Sequence, residues 1–156
     1  MAAPKVGAQV KDFTADSTAG EPFTLSAARG QAVVLYFYPK DMTSGCTTES
    51  QEFRDLAARF RRAGAIILGV SRDPLKSHAK FREKEGLPFH LLSDPQEKLC
   101  RQFDVIREKS LYGRKYMGIE RSTFLIDAQG VLRREWRKVK VAGHAQEVLD
   151  ALRKDD

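Results

Sequence analysis

Apolar residues follow two different spacings along the chain, and the two spacings alternate. The run QAVVLYFY (residues 31–38) is continuous, β-branched and aromatic, which predicts a buried strand bounded by Pro39. Between Thr47 and Arg62 the apolar residues recur every three or four positions, which predicts a helix that Gly64 closes. The core therefore starts with a strand followed by a helix.

The same order continues along the chain. Two further strand and helix pairs are predicted from AIILGVS, PLKSHAKFREKE, FHLLS and PQEKLCRQF, with Pro74 and Pro95 opening the helices. Residues 10–30 predict a hairpin-like lead-in, and STFLID and VLRREWR predict a hairpin across DAQG before the last helix, HAQEVLDALRK. This order predicts an α/β sandwich with a mostly parallel sheet and an antiparallel edge. Residues 104–120 are predicted to be a long connection, of the kind that is often functional or mobile.

Composition narrows the classes of function. With 42% hydrophobic and 31% charged residues, the chain is predicted to be one soluble domain over residues 1–156. The net charge is +6, but basic and acidic residues are interleaved, so we expect a solvated surface and no nucleic-acid binding. An acidic partner protein or an anionic substrate stays open. No apolar run has the length of a signal peptide or a membrane helix, so we expect a cytoplasmic protein that contacts no membrane.

Cysteine chemistry is the main functional candidate. The chain has two cysteines, in no metal-type spacing, which suits a reducing compartment. Cys46 follows a predicted strand and lies where a helix begins, and a helix start favours a thiolate by ~0.3–1 kcal/mol. A free thiol is mostly protonated at pH 7, so a nucleophilic thiolate needs a nearby cation as well. On position alone, a buried structural cysteine is the alternative.

The residues around Cys46 resemble a known family. Pro39, Thr43 and Cys46 match the peroxiredoxin signature, and FYPKDMTSGCTTE is similar to the Q-type peroxiredoxins, also called bacterioferritin comigratory proteins. The resemblance continues through LGVSRDP, LLSD, YGRKYMGIERSTFLID and the final helix, and so covers nearly the whole chain. It implies a thioredoxin-like fold with an N-terminal β extension, in which helices flank a mixed central sheet.

The resemblance also implies a mechanism and a set of site residues. Cys46 would attack a hydroperoxide to give a sulfenic acid, and Arg121 would stabilise the thiolate and hold the peroxide oxygens. Thr43 would interact with the thiolate and orient the peroxide, Pro39 would shield the site from water, and Glu49 would hold Arg121. No metal or organic cofactor is expected, because the three histidines are scattered along the sequence.

The chain departs from the family pattern at two positions, and both are positions where many members carry the resolving cysteine, the second thiol of the catalytic cycle. The usual resolving positions hold Gln51 and Arg82. Cys100 has the sequence surroundings of a packed helix position, so a structural role is expected for it and a resolving role stays open. The sequence therefore predicts a one-cysteine enzyme, reduced by thioredoxin, a glutaredoxin or a small thiol, and the family resemblance implies a monomer.

Two other classes of function stay open. A thioredoxin-like thiol-disulfide oxidoreductase would share the fold, but it usually has C-x-x-C, and the position three residues after Cys46 holds Glu49. A basic, non-enzymatic interaction protein would tolerate loss of Cys46. The set of Pro39, Thr43, Cys46 and Arg121 argues against the second class.

Overall fold

A computed structural model describes residues 3–154 of the chain, and its strands and helices alternate as the periodicity indicates. The strands are Thr14–Ser17 (β1), Phe23–Thr24 (β2), Ala32–Phe37 (β3), Ala65–Ser71 (β4), His90–Ser93 (β5), Ile106–Leu111 (β6), Arg114–Ile119 (β7), Ser122–Ile126 (β8) and Leu132–Trp136 (β9). The α-helices are Ser44–Arg62 (α1), Leu75–Glu85 (α2), Lys98–Gln102 (α3) and His144–Lys154 (α4). A short 3₁₀ helix covers Leu25–Ala28.

Seven of these strands form one mixed sheet, in the order β2-β1-β5-β4-β3-β8-β9. Strands β3, β4 and β5 are parallel, whereas β8 pairs antiparallel with both β3 and β9. The N-terminal pair β1 and β2 extends the other edge, and β1 joins β5 in antiparallel register. This is the predicted thioredoxin-like α/β fold with an N-terminal β extension.

The sheet separates two apolar cores, because successive residues of β3 point to opposite faces. Val34 and Tyr36 pack with helices α1, α2 and α4 in a core that also contains Cys46. Val33, Leu35 and Phe37 pack on the other face with α3 and the chain after it, in a core that contains Cys100. The two cysteines therefore lie on opposite sides of the sheet.

Two helix boundaries differ from the prediction. Helix α1 begins at Ser44 rather than at Thr47, because the small polar residues of its first turn carry no apolar periodicity. Helix α3 begins at Lys98 rather than at Pro95, and Glu97 before it has a positive φ of 62°. The carboxylate of Asp94 accepts hydrogen bonds from the backbone N–H groups of Leu99 and Cys100, which fixes the later start.

The prediction of a connection without regular structure over residues 104–120 is wrong. This segment forms an antiparallel hairpin of β6 and β7, in which Leu111 pairs with Arg114 across a two-residue turn. Both turn residues, Tyr112 and Gly113, have positive φ, at 52° and 78°, as a tight hairpin turn requires. The sequence signal was weak because the exposed strands lack an apolar and polar alternation and the turn lacks Asn or Asp.

Candidate active site

Cys46 is the third residue of α1, and its side chain is 1% exposed. Thr43 precedes the helix in an extended conformation, and the Thr43 carbonyl accepts the first helical hydrogen bond, from the N–H of Thr47. The N–H groups of residues 44–46 therefore have no acceptor one turn earlier, and they direct partial positive charge towards the sulfur. The positive end of the helix is therefore directed at Cys46 Sγ.

Arg121 supplies a cation at the same sulfur. It lies directly before β8, and its Nη2 donates a hydrogen bond to Cys46 Sγ at 3.4 Å. The guanidinium side chain is 16% exposed, so water screens its charge only partly. Gly45 leaves room for this contact, since a Cβ at that position would lie 3.2 Å from Arg121 Nη2.

Glu49 lies one turn further along α1, on the same side as Cys46. Its Oε1 accepts a hydrogen bond from Arg121 Nη1 at 2.6 Å. The other oxygen, Oε2, is buried and has no hydrogen-bond partner among residues 3–154. Burial raises the pKa of Glu49 to about 7, although the charge of Arg121 acts in the opposite direction. The carboxyl group therefore titrates near neutral pH and changes the charge balance around Arg121 as it does so.

Pro39 and Thr43 belong to the loop that joins β3 to α1. The Thr43 hydroxyl donates a hydrogen bond to the carbonyl of Lys40 at 2.8 Å, and Pro39 is half-buried. Met42, next to Thr43, has a positive φ of 66°, which is uncommon for a residue with a side chain. The loop is thus tightly folded on the N-terminal side of Cys46.

A buried polar network anchors this loop, and sequence reasoning missed it because its members are far apart in the chain. Asp41 accepts hydrogen bonds from Tyr38 Oη and Ser77 Oγ, and its Oδ2 lies within hydrogen-bond distance of His78 Nδ1, at 2.7 Å. The backbone N–H of Asp41 donates to Asp73. On the other side of the ring, His78 Nε2 donates a hydrogen bond to the Leu92 carbonyl at 2.9 Å.

Asp41, Asp73 and His78 bring three possible metal ligands within 4.8 Å of one another, which the scattered histidines in the sequence did not indicate. Hydrogen bonds within the network already engage both carboxylate oxygens of Asp41 and the Oδ2 atom of Asp73. The other two histidines lie elsewhere, and each ring contacts a threonine hydroxyl, His90 that of Thr18 and His144 that of Thr123.

Lys109 of β6 is a second cation near the site that sequence reasoning did not identify. Its Nζ donates a hydrogen bond to the carbonyl of Ile119 at 2.5 Å, two residues before Arg121. Partial burial lowers the pKa of Lys109, the charge of Arg121 lowers it further, and Cys46 acts in the opposite direction. The ammonium group is therefore coupled to both partners of the Cys46 and Arg121 contact.

Comparison with known proteins identifies the family. Residues 6–135 match the model of the AhpC/TSA family. Peroxiredoxin Bcp of Xanthomonas campestris pv. campestris is 54% identical over 142 residues, which are 91% of this chain and 89% of that protein. Peroxiredoxin Bcp of Bacillus subtilis is 50% identical over 149 residues, 96% of this chain and 95% of that one. The chain is a Bcp-type peroxiredoxin.

Solved structures of this family agree with the fold. Peroxiredoxin Q of Xanthomonas campestris superposes with a TM-score of 0.87 at 54% identity, over 91% of this chain and 90% of that one. A Cys-to-Ser variant of the Xylella fastidiosa enzyme gives a TM-score of 0.93 at 43% identity, over 99% of both chains. One Xanthomonas campestris structure, at 52% identity, a TM-score of 0.87 and coverage of 92% and 91%, is described in terms of alkyl peroxide reduction.

In this peroxiredoxin, other residues occupy the two expected resolving positions. Gln51 Nε2 donates to Glu85 Oε1 at 2.8 Å, and Arg82 Nε donates to the Phe89 carbonyl at 2.9 Å. The remaining thiol, Cys100, is fully buried in the core on the far side of the sheet. Burial strongly raises the pKa of Cys100, and the nearby Asp94 carboxylate raises it further. This is the one-cysteine form of the family.

No helix in residues 3–154 has the length and apolar character needed to span a membrane.

Proposed function

We propose that Cys46 is the peroxidatic cysteine of this thiol-dependent peroxidase, and that Arg121 is the cation that activates it. The contact of Arg121 Nη2 with Cys46 Sγ at 3.4 Å, in the first turn of α1, carries the proposal. A helix start alone supplies ~0.3–1 kcal/mol towards the thiolate. The guanidinium adds a full charge in a partly buried site, where its effect is larger than in water.

The reaction is a displacement on oxygen. The Cys46 thiolate attacks the terminal oxygen of ROOH, an S–O bond forms and the O–O bond breaks. The leaving alkoxide takes a proton and departs as alcohol, or as water when the substrate is hydrogen peroxide. Cys46 becomes sulfenic acid, and the net change is Cys–SH plus ROOH to Cys–SOH plus ROH. No metal or organic cofactor is needed for this balance.

Arg121 acts on the developing charge as well as on the thiolate. Guanidinium has several N–H donors in a rigid plane, so one edge can hold Cys46 while another donor faces the peroxide oxygens. Glu49 fixes that plane through the 2.6 Å bond to Nη1. Below about pH 7 the carboxyl of Glu49 becomes protonated, and more of the charge of Arg121 is then available to the thiolate.

For Thr43 we propose a role as acceptor. Its hydroxyl proton is directed to the Lys40 carbonyl, so its oxygen lone pairs are available to the O–H of a hydroperoxide. This differs from a hydroxyl that donates to the thiolate. Pro39, half-buried in the same loop, is proposed to limit the access of water to the site.

The second half of the cycle requires a thiol from outside the chain. Cys100 would have to cross the sheet to reach Cys46, whereas a disulfide needs Cα atoms within about 7 Å. We propose thioredoxin, a glutaredoxin-like protein or a small thiol as the donor, and the cytoplasm, where thiols are kept reduced, as the location. We also propose that the chain works as a monomer and folds as one domain over residues 1–156.

The test is a coupled assay with dithiothreitol and either hydrogen peroxide or cumene hydroperoxide. We expect one molecule of peroxide to be consumed for each dithiothreitol oxidised, and we expect no acceleration of insulin disulfide reduction. Insulin reduction without peroxide consumption would instead identify a thioredoxin-like disulfide oxidoreductase and would refute the proposal.

A further inference from the structure

The hairpin of β6 and β7 exposes an unusual amount of apolar surface. Among residues 3–154, seven large apolar side chains are exposed, and four of them belong to this hairpin. They are Leu111 at 57%, Tyr112 at 96%, Tyr116 at 46% and Met117 at 54% exposure. Single exposed apolar residues are common, but a cluster of them on one element marks a surface that binds something.

The register of the hairpin sorts these side chains onto two faces, because directly paired residues share a face. Lys109 pairs with Tyr116, and Leu111 pairs with Arg114, so these four share one face, which we call the Leu111 face. Glu108 pairs with Met117, and Ser110 with Lys115, so these four share the opposite face. Each face thus has exposed apolar side chains. Of these eight residues, only Glu108, on the face opposite the Leu111 face, carries a carboxylate.

Charge distinguishes the two faces further. On the opposite face, Lys115 pairs with Glu108 at 3.5 Å. Arg107, beside the Leu111 face, is neutralised by Asp104 and Glu120. Lys109 and Arg114 have no ion pair within 4.0 Å among the residues that the structure describes. The Leu111 face is therefore apolar and carries two cations that make no ion pair among the described residues, and a complementary surface is apolar with negative charge.

The Leu111 face also borders the peroxidatic site. Lys109, one of its members, holds the Ile119 carbonyl just before Arg121 and is electrostatically coupled to Cys46. The base of the hairpin is fixed to the main sheet as well, since Arg72, after β4, donates to the Met117 carbonyl at 3.2 Å. A molecule bound on this face would lie against Lys109, whose ammonium group is held at the Ile119 carbonyl, two residues before Arg121.

We propose that the Leu111 face is the docking surface for an acidic protein that carries the reducing thiol. This rests on the proposed one-cysteine cycle, which needs an external thiol. The partner's thiol attacks the sulfenic sulfur, so Cys46–SOH plus R–SH gives the mixed disulfide Cys46–S–S–R plus water. A second thiol of the partner then attacks the partner's sulfur in this mixed disulfide. Cys46–SH is released, and the partner is left with an intramolecular disulfide.

A second copy of this chain fits the same face less well. In a symmetric dimer each face meets itself, so Lys109 and Arg114 of one copy would lie against the same cations of the other. Like charges in contact disfavour such an interface. An acidic partner instead gains from both the apolar contacts and the charges, and its association slows as salt screens them.

The experiment compares variants in matched pairs, one on each face. Arg114→Glu and Lys115→Glu change the net charge equally, and Leu111→Ser and Met117→Ser remove comparable exposed apolar side chains. The probe is a reduced thioredoxin of acidic isoelectric point, with dithiothreitol as a neutral small thiol. For Arg114→Glu and Leu111→Ser we expect kcat/KM for thioredoxin to fall about tenfold. For the controls Lys115→Glu and Met117→Ser we expect kcat/KM to change less than about twofold.

Further readouts separate this proposal from the proposed function. Oxidation of Cys46 by peroxide without any reductant, and turnover with dithiothreitol, should be unchanged in all four variants. Absence of that oxidation in the unmodified protein would refute the proposed function itself. Equal losses on both faces would overturn the docking surface. So would a concentration-dependent dimer, seen by analytical ultracentrifugation, that Leu111→Ser dissociates.

Discussion

The two cysteines are equally buried, yet their surroundings favour opposite chemistry. Cys46, at 1% exposure, lies at a helix start with Arg121 3.4 Å from its sulfur. Cys100, at 0% exposure, lies beside the Asp94 carboxylate in an apolar core, and burial raises its pKa strongly. Burial alone therefore does not decide whether a thiol reacts. What differs is the sign of the nearest charged group, a guanidinium beside Cys46 and a carboxylate beside Cys100.

The largest effect should come from removing each sulfur in turn. We expect Cys46→Ser to lower peroxide consumption by at least about a thousandfold, because the nucleophile is lost. Cys100→Ser should keep the rate within about twofold, since this thiol is buried on the other face of the sheet. A steady-state assay with dithiothreitol measures both. Comparable losses in the two variants would remove the distinction between the cysteines.

The next effect concerns the cation. Arg121→Ala removes the positive charge and the donors that we propose face the peroxide, so we expect Cys46 oxidation to slow by about 10²–10³-fold. Arg121→Lys keeps the charge without the planar fork and should recover only part of the rate. Arg133→Ala, which removes a β9 side chain paired with Asp127, is the control and should be near the unmodified rate. A normal rate for Arg121→Ala would exclude Arg121 from the mechanism.

Most of the fold could be predicted from the sequence, because buried strands and amphipathic helices have distinct periods. The order of the strands and helices was predicted in this way, the mixed sheet was implied by the family resemblance, and both are confirmed. The expectation of a mostly parallel sheet is wrong, because among residues 3–154 only β3 with β4 and β4 with β5 pair in parallel, and the other neighbours in the sheet are antiparallel. The β6–β7 hairpin was not, since its exposed strands have no apolar alternation. The first turn of α1 was also missed, because Ser44 and Gly45 carry no periodic signal.

Some residues of the candidate site could also be predicted from the sequence, and others could not. Cys46, Thr43, Pro39, Glu49 and Arg121 came from a motif and a family resemblance, and the roles assigned to them stay predictions. The contact between Cys46 and Arg121 joins residues far apart in the chain, which no local pattern reveals. Lys109 and the network of Asp41 and His78 have no recognisable motif, so only the structure could bring them to the site.

A smaller effect should follow from Gly45→Ala. A Cβ here would lie 3.2 Å from Arg121 Nη2, so the guanidinium must shift by a few tenths of an ångström. We expect Cys46 oxidation to slow by about three- to tenfold, because the geometry of a positioned donor matters. Ser44→Ala, one residue earlier and exposed, is the control and should be close to unchanged. Stopped-flow measurement of Cys46 oxidation decides between these outcomes.

The last effect concerns the pH dependence of stability, and we expect little change in the rate of Cys46 oxidation from it. The pKa of Glu49 rises from 4.5 in its ordinary state to about 7 in the fold, so the folded protein binds the extra proton. The corresponding stability is fully present below about pH 4.5 and is lost as pH rises through 7. Glu49→Gln should remove this component, on the order of 2 kcal/mol between pH 5 and 8.

Denaturant unfolding at several pH values measures that component. The exposed Glu83→Gln is the control, and its stability should follow pH as the unmodified protein does. If Glu49→Gln and the unmodified protein show the same pH dependence, Glu49 is not held with a raised pKa in the folded state.

The contrast between the two thiols is tested most directly by a single oxidation. The reduced protein is treated with one equivalent of hydrogen peroxide in the presence of dimedone, and its peptides are mapped by mass spectrometry. The account predicts a dimedone adduct of sulfenic acid on the Cys46 peptide and an unmodified, reduced Cys100. A dominant disulfide between Cys46 and Cys100, or an adduct on Cys100, would contradict it.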